Sequence, residues 1–423
     1  MLYLLELGFI GLCIAVLPLG WVLLRRDADK YRKLAWVTTF LTLDLIMFGG
    51  FTRLTDSGLG CPDWPGCYGT SSPFAAHADI HAAQLMLPTG PVTFVKAWIE
   101  MIHRYFAMAV GVLIIVLMVM AWTKWLKARG RRDVAAQGTA QGTAQGRAGR
   151  VPVQSPWLAT WLFVLVCVQG AFGAWTVTMK LQPVIVTTHL MLALTLLGSL
   201  AWLASSQVPA SPGSSIAADP SALRWRWAAL IGLALLVFQI ALGGWVSTNY
   251  AVLACTDFPT CQGQWVPSMD FHNGFKLWRE LGKTAGGEVI PMDALVAIHW
   301  AHRTFAVIVV LYLGWLATRL RRHAALRRPA TLVFMLVLVQ FATGLSNIVF
   351  QWPLLNAIAH NGGAAVLLLL LVMLNYRIRA ARAASVSADL SPLDQSADPA
   401  RQKPLPAAEP AAAPLAGAPT GSA

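Results

Sequence analysis

The chain has 423 residues, of which 57% are hydrophobic and only 12% are charged. Soluble domains carry about 25% charged residues, so this composition excludes a soluble protein and indicates an integral membrane protein. The net charge of +13 does not indicate nucleic-acid binding, because the basic residues form short clusters beside apolar runs, as in cytoplasmic loops.

Nine apolar runs are long enough to cross a membrane as helices. In chain order they cover about residues 3–24, 34–54, 100–125, 157–178, 185–205, 226–247, 294–318, 329–350 and 355–376. The first run has no basic residue before it and a basic cluster directly after it. This is the reverse of a cleaved signal peptide, so we expect a retained helix. The sequence therefore predicts an all-α polytopic membrane bundle.

The basic residues predict the orientation of the bundle. Of the 32 Lys and Arg residues, 24 lie in segments 25–33, 124–150, 224–226, 319–328 and beyond 376. Cytoplasmic loops of membrane proteins are enriched in Lys and Arg. We therefore expect a multi-pass protein of the inner (plasma) membrane with a cytoplasmic C-terminus. The N-terminus and the two long loops, at about 55–98 and 248–293, are then outside.

The six cysteines fall into two classes. Cys13 and Cys167 lie within apolar runs and are expected to be packing residues. The other four form two pairs, each with five residues between its members: Cys61 with Cys67, and Cys255 with Cys261. Both pairs lie in loops expected outside the cytoplasm, where disulfides persist, so we predict two local bridges.

Helices 2–5 and helices 6–9 repeat one four-helix unit. Gly49-Gly50 and Gly243-Gly244 each precede a loop cysteine by the same distance, and segment 168–173 resembles segment 339–344. Both units begin on the same side, so the repeat is parallel. We divide the chain into an N-terminal helix with a basic loop (1–33), a first repeat (34–205), a linker (206–225), a second repeat (226–376) and a tail (377–423). The tail is rich in Ala, Pro and Ser and is expected to be disordered, and segment 134–149 is a low-complexity cytoplasmic linker.

Four of the nine histidines stand at matching places near the outer ends of helices: His103, His189, His302 and His360. Two imidazoles at one depth on different helices can hold one metal between them, and a haem iron with axial histidines suits an apolar pocket between helices. A single such histidine fits equally a hydrogen bond to a backbone carbonyl. The repetition favours two bis-histidine haem sites. Of the other five, we expect His77, His81, His272 and His323 to be solvated.

The two units differ three residues before the first histidine, where Glu100 precedes His103 but His299 precedes His302. Residues i and i+3 share a helix face, so Glu100 can face the same site as His103. A carboxylate at one site only predicts that this site is reactive and that the other carries electrons. The alternative is an acid near a helix N-terminus, stabilised by the helix dipole.

Arg104 and Arg303 directly follow these histidines. A guanidinium at the water boundary suits bidentate pairing with haem propionates. Snorkelling to lipid phosphate is the alternative for both residues.

Together these motifs resemble the haem A synthases, the membrane enzymes that convert haem O to haem A for terminal oxidases. The resemblance covers about residues 35–376. It rests on G-G-F-T-R-L-T-D-S-G-L-G-C-P-D-W-P-G-C from Gly49 to Cys67, E-M-I-H-R from Glu100, Thr188-His189, His302-Arg303 and His360. The extra N-terminal helix and the long tail depart from the eight-helix core of the family.

The resemblance implies a role for each site. Haem O would bind between His103 and His189, and a permanent haem b between His302 and His360 would relay electrons. The haem methyl would be oxidised stepwise to the aldehyde with Glu100 near the reacting group. His299 is a rival ligand to His302. Cys61 and Cys67 would lie over the substrate site.

The resemblance also implies partners. They are haem O as substrate, haem O synthase and the terminal oxidase under assembly, with membrane lipid around the chain and no nucleic acid. A homo-oligomer is compatible with this reading. Two alternatives remain: a b-type di-haem cytochrome for electron transfer, in which both haems are permanent, and a transporter built on repeats.

Overall fold

The structure is a computed structural model that describes residues 2–26, 29–138, 155–207 and 223–396. Within these ranges nine helices are long and apolar enough to span a membrane, which confirms the predicted all-α polytopic bundle. They are α1 (Leu2–Leu24), α2 (Lys30–Leu54), α3 (Phe94–Gly138), α4 (Trp157–Thr178), α5 (Pro183–Ser206), α6 (Arg226–Thr248), α7 (Met292–Leu320), α8 (Arg327–Val349) and α9 (Leu354–Ser396). Short helices at His77–Met86 and Phe271–Gly274 lie in the two long loops.

Two helices are longer than predicted. Helix α9 continues to Ser396, so residues 377–396 of the predicted disordered tail are helical. Helix α3 likewise reaches Gly138, within the low-complexity segment. Alanine and arginine dominate the residues just after 376, and both favour helix, so a helix that has already begun continues through them. Residues 397–423, and 208–222 of the predicted linker, lie outside the described residues.

The spanning helices form two rings of four. In the first ring α2 packs against α3, α3 against α4, α4 against α5, and α5 against α2. Helices α6, α7, α8 and α9 close a second ring in the same order. Helices α3 and α5 therefore stand across the first ring from each other, and α7 and α9 across the second. The rings meet where α9 packs against α2 and α5, and α5 against α6, while α1 lies outside against α3.

The two long loops, at 55–93 and 249–291, define one face of the bundle, which we call the disulfide face. Buried apolar side chains fill the opposite half of each ring, with Leu113 and Leu200 in the first and Leu313 and Leu371 in the second. Smaller apolar clusters lie next to the disulfide face, with Met101 in the first repeat and Trp245 in the second.

The cysteines divide between this face and the helix surfaces. Cys61 is bonded to Cys67, and Cys255 to Cys261. Cys13 and Cys167 are free thiols on the exposed sides of α1 and α4. The expectation that these two pack in the core is therefore wrong, because an apolar run inserted in a membrane can turn a small side chain towards lipid at little cost.

Labelling of the unfolded, oxidised protein with a maleimide should modify two cysteines per chain, and prior reduction should raise this number to six. The two are Cys13 and Cys167, because the other four are in disulfides. Mass spectrometry counts the additions, and a chain with Cys13→Ser and Cys167→Ser should show none without reductant. Six additions to the unreduced wild type would contradict the bridges.

His323 is buried rather than solvated, which corrects the expectation for this residue. It is 8% exposed, and its Nε2 accepts a hydrogen bond of 3.0 Å from the Trp225 indole. The contact joins the start of α6 to the end of α7, opposite the disulfide face. A basic neighbourhood in sequence therefore conceals a structural histidine. The other three histidines expected to be solvated are exposed: His77, His81 and His272.

Candidate functional site

The four repeat-related histidines stand on the helices that face each other across the rings. His103 on α3 is opposite His189 on α5, and His302 on α7 is opposite His360 on α9. All four lie within about three turns of the helix end at the disulfide face. All four imidazoles are half-buried. Each ring thus holds one pair of imidazoles at one depth.

A glycine on the neighbouring helix supports each imidazole. A Cβ atom added to the glycine would meet the ring at 2.9–3.2 Å in every case. The pairs are Gly49 with His103, Gly173 with His189, Gly243 with His302 and Gly344 with His360. Any other residue would displace the imidazole, so the four glycines set the positions of the four imidazoles.

Three of the histidines are also tied by a glutamine, a feature that the sequence analysis did not single out. Each glutamine precedes a supporting glycine by four residues, and its amide nitrogen donates to the backbone carbonyl of the histidine. The bonds are Gln169 to His189 at 3.0 Å, Gln239 to His302 at 3.2 Å, and Gln340, in the amide orientation that satisfies its neighbours, to His360 at 3.0 Å. The matching segments 168–173 and 339–344 carry this signal, since residues four apart share a helix face.

The first disulfide loop is fastened to α3 by an ion pair. Glu100 accepts a hydrogen bond of 2.9 Å from the Cys61 N–H, and its other oxygen pairs with Arg104. Arg104 in turn donates to the carbonyls of Asp63, Pro65 and Gly66. Glu100 and Arg104 are 4% and 9% exposed. Both carboxylate oxygens and both terminal guanidinium nitrogens are therefore engaged beneath the loop.

The second disulfide loop is fastened in the same way but without a carboxylate. His299 accepts from the Cys255 N–H at 3.3 Å and is buried. Arg303 donates through Nη2 to the carbonyls of Asp257 and Thr260, at 2.7 and 3.2 Å. Its Nη1 is buried without a hydrogen-bond partner. His299 thus holds the loop while His302 lines the ring. The Nη1 of Arg303 remains without an acceptor.

An aspartate turn stiffens each loop. Asp257 accepts from the N–H groups of Gln262 and Gly263 and from the Thr260 hydroxyl. These hydrogen bonds, that of Thr260 first, lower the pKa of Asp257 to about 2. Asp63 occupies the same place in the first loop and also accepts two N–H groups. The loops are therefore ordered covers over the two rings at neutral pH.

The two sites are neighbours across the interface between the rings. Gly50 lies against Asn361, the residue after His360, and Gly244 lies against Leu190, the residue after His189. In each Gly-Gly pair, the first glycine thus contacts a histidine of its own ring and the second contacts a helix of the other ring. The helices of the two rings are therefore in direct contact beside His189 and His360.

The donor set fits a haem better than a bare metal ion. No group of three or more His, Cys, Asp or Glu side chains able to hold an ion occurs in the described parts of the chain. A structural or catalytic zinc needs three or four protein ligands, whereas a haem iron needs only two axial ones. Two imidazoles on helices that stand across a ring from each other meet that need, and the spare Nη1 donor of Arg303 suits a propionate.

Comparison with known proteins agrees with this chemistry. Residues 32–372 match the COX15-CtaA family, described as cytochrome oxidase assembly proteins. The Heme A synthase of Shewanella oneidensis is 37% identical over 347 residues, which cover 81% of this chain and 96% of that protein. The Heme A synthase of Caulobacter vibrioides is 27% identical over 376 residues, covering 83% and 98%. That of Sinorhizobium medicae is 26% identical, covering 81% and 89%.

Proposed function

Since the chain belongs to the COX15-CtaA family of haem A synthases, we propose that it oxidises the methyl group of haem O stepwise to the aldehyde of haem A. The chain is a haem-modifying oxidoreductase with a role in haem A biosynthesis. Haem O is then its substrate, and the assembly of a terminal oxidase is the process that it supplies.

One observation carries the proposal: the imidazoles stand in two diagonal pairs, one in each ring. The first pair, His103 and His189, lies under the loop fastened by Glu100, and we assign the substrate haem to it. The second pair, His302 and His360, lies under the loop fastened by His299. We assign a permanent haem b to it, whose chemistry when bound is to relay electrons. The buried Nη1 of Arg303, which has no hydrogen-bond partner, supports a propionate contact there.

The chain's own residues have separable tasks in this scheme. The glycines set the imidazole positions, and the disulfide loops exclude water from the rings. Glu100 lies one turn from His103, and a carboxylate there can accept or deliver a proton during methyl oxidation. Arg104 orients that carboxylate through the ion pair and holds the Cys61–Cys67 loop.

The same scheme extends to topology and partners. We place the disulfide face outside the cytoplasm in the inner membrane, because disulfides persist there and the Lys and Arg clusters lie at the other face. The first repeat (34–205) is then the substrate unit and the second (226–376) the haem b unit. Haem O synthase, the assembling oxidase, membrane lipid and a second copy of the chain are the partners that we propose.

Pigment extraction tests the proposal. Cells that make haem O through a haem O synthase, and have no haem A of their own, should contain haem A only when this chain is also produced. Chromatography with mass analysis of the extracted pigments measures the yield. His189→Ala is the matched control and should return the cells to haem O alone. Haem O and protohaem without haem A in the wild type would instead favour the di-haem cytochrome.

A further inference from the structure

The first histidine pair has one glutamine tie, at His189, whereas the second pair has two. In α2, the residue four before the supporting Gly49 is Leu45, where the other three helices have a glutamine. The His103 ring donates a hydrogen bond to the Leu45 backbone carbonyl and stacks against Phe48. A leucine side chain cannot donate to the His103 backbone carbonyl, so the amide tie found at the other three histidines is missing here. The His103 imidazole also lies differently against its glycine: its nearest atom to Gly49 is Nε2, whereas the other three histidines approach their glycines with Cε1.

The arginines beside the two rings also differ in how fully they are bonded. Arg104 is neutralised by Glu100 and spends both terminal nitrogens on that carboxylate and on the loop. Arg303 forms no ion pair among the described residues, and its buried Nη1 has no hydrogen-bond partner. A propionate at the second ring would therefore meet a charged donor in need of an acceptor. At the first ring Nη1 and Nη2 of Arg104 already bond loop carbonyls and the Glu100 carboxylate.

From these two differences we infer that the first ring is built to exchange its haem and the second to retain it, and that Leu45 is the positioning residue for exchange. The inference rests on the proposed function, because a substrate must enter and its product must leave, whereas a relay must stay. Groups that orient a metal ligand typically change metal affinity by about 10- to 100-fold when they are altered. Leu45 omits the side-chain amide tie where tight binding would trap the product.

The test is the rate at which each haem leaves. Purified ferric protein carrying haem O and haem b is mixed with an excess of a haem-scavenging apoglobin, and the pigments transferred at each time are identified by chromatography. Haem O reports the first ring and haem b the second. Haem O should leave the wild type at least about tenfold faster than haem b.

Two variants test the glutamine tie, one by adding it to the first ring and one by removing it from the second. Leu45→Gln should slow haem O release by about tenfold, and Gln239→Leu should speed haem b release by a similar factor. Leu45→Met, which has no amide donor, is the matched control and should release haem O at the wild-type rate. Visible spectra of each variant check that both haems remain six-coordinate.

Equal release of the two haems from the wild type, or a Leu45→Gln variant that releases haem O as fast as Leu45→Met, would overturn the inference. Either result would leave haem A formation intact, and with it the proposed function. A wild type that forms no haem A would overturn the proposed function instead, whatever its release rates.

Discussion

Replacing His302 or His360 by alanine is expected to remove the permanent haem b from the purified protein. Each would supply one ligand to the proposed haem iron, and neither has a neighbouring imidazole free to replace it, since His299 is bonded to the Cys255 N–H. Haem b content per chain should fall at least about tenfold in both variants, because losing a ligand exceeds the loss of an orienting partner. A pyridine haemochrome assay on detergent-purified protein measures the content.

The matched control is His77→Ala, which removes an exposed histidine of the first outer loop. It should keep the wild-type haem b content. His299→Ala separates the two histidines of α7: it should retain haem b while loosening the second loop. Full haem b content in both His302→Ala and His360→Ala would reject the second site.

Replacing Glu100 by alanine is expected to lower the yield of haem A by about 100-fold or more, the lower range of what a positioned acid or base contributes. Haem O should still bind, because His103 and His189 remain. The variant also leaves Arg104 and the Cys61 N–H without their acceptor, and breaking a buried ion pair costs about 3–5 kcal/mol. Pigment analysis measures the conversion, and thermal unfolding in detergent measures the stability.

The second repeat supplies the control that separates these two effects. Glu100→His copies the arrangement in which His299 accepts the Cys255 N–H, so an acceptor for the Cys61 N–H is restored without a carboxylate. Glu100→His should recover part of the lost stability yet remain unable to form haem A. Wild-type haem A yield in this variant would show that the carboxylate has no part in the reaction.

The membrane spans followed from sequence because hydropathy and length decide insertion, and each of the nine runs predicted its helix. The four histidines followed from their repetition. Their diagonal placement could not be read from the sequence, because it depends on how eight helices close into two rings. The end of α9 was missed, since composition does not say where an established helix stops.

The side-chain partners of Glu100 show a second limit. The spacing to His103 correctly placed the two residues one turn apart, but spacing does not choose a rotamer. The carboxylate turns to Arg104 and the Cys61 N–H, which come from the same helix and from a loop 39 residues away in sequence. His323 was misjudged for the same reason, because its partner Trp225 lies 98 residues earlier. Contacts between distant segments require the fold.

Electron paramagnetic resonance of the ferric protein, loaded with haem O and haem b, tests most directly whether opposed imidazoles clamp one haem in each ring. The spectrum should contain two low-spin signals typical of bis-histidine iron. His189→Ala should convert one of them to high spin, and His360→Ala should remove or convert the other. A wild type whose iron is mainly high spin, or a signal unchanged in both variants, would contradict the pairing.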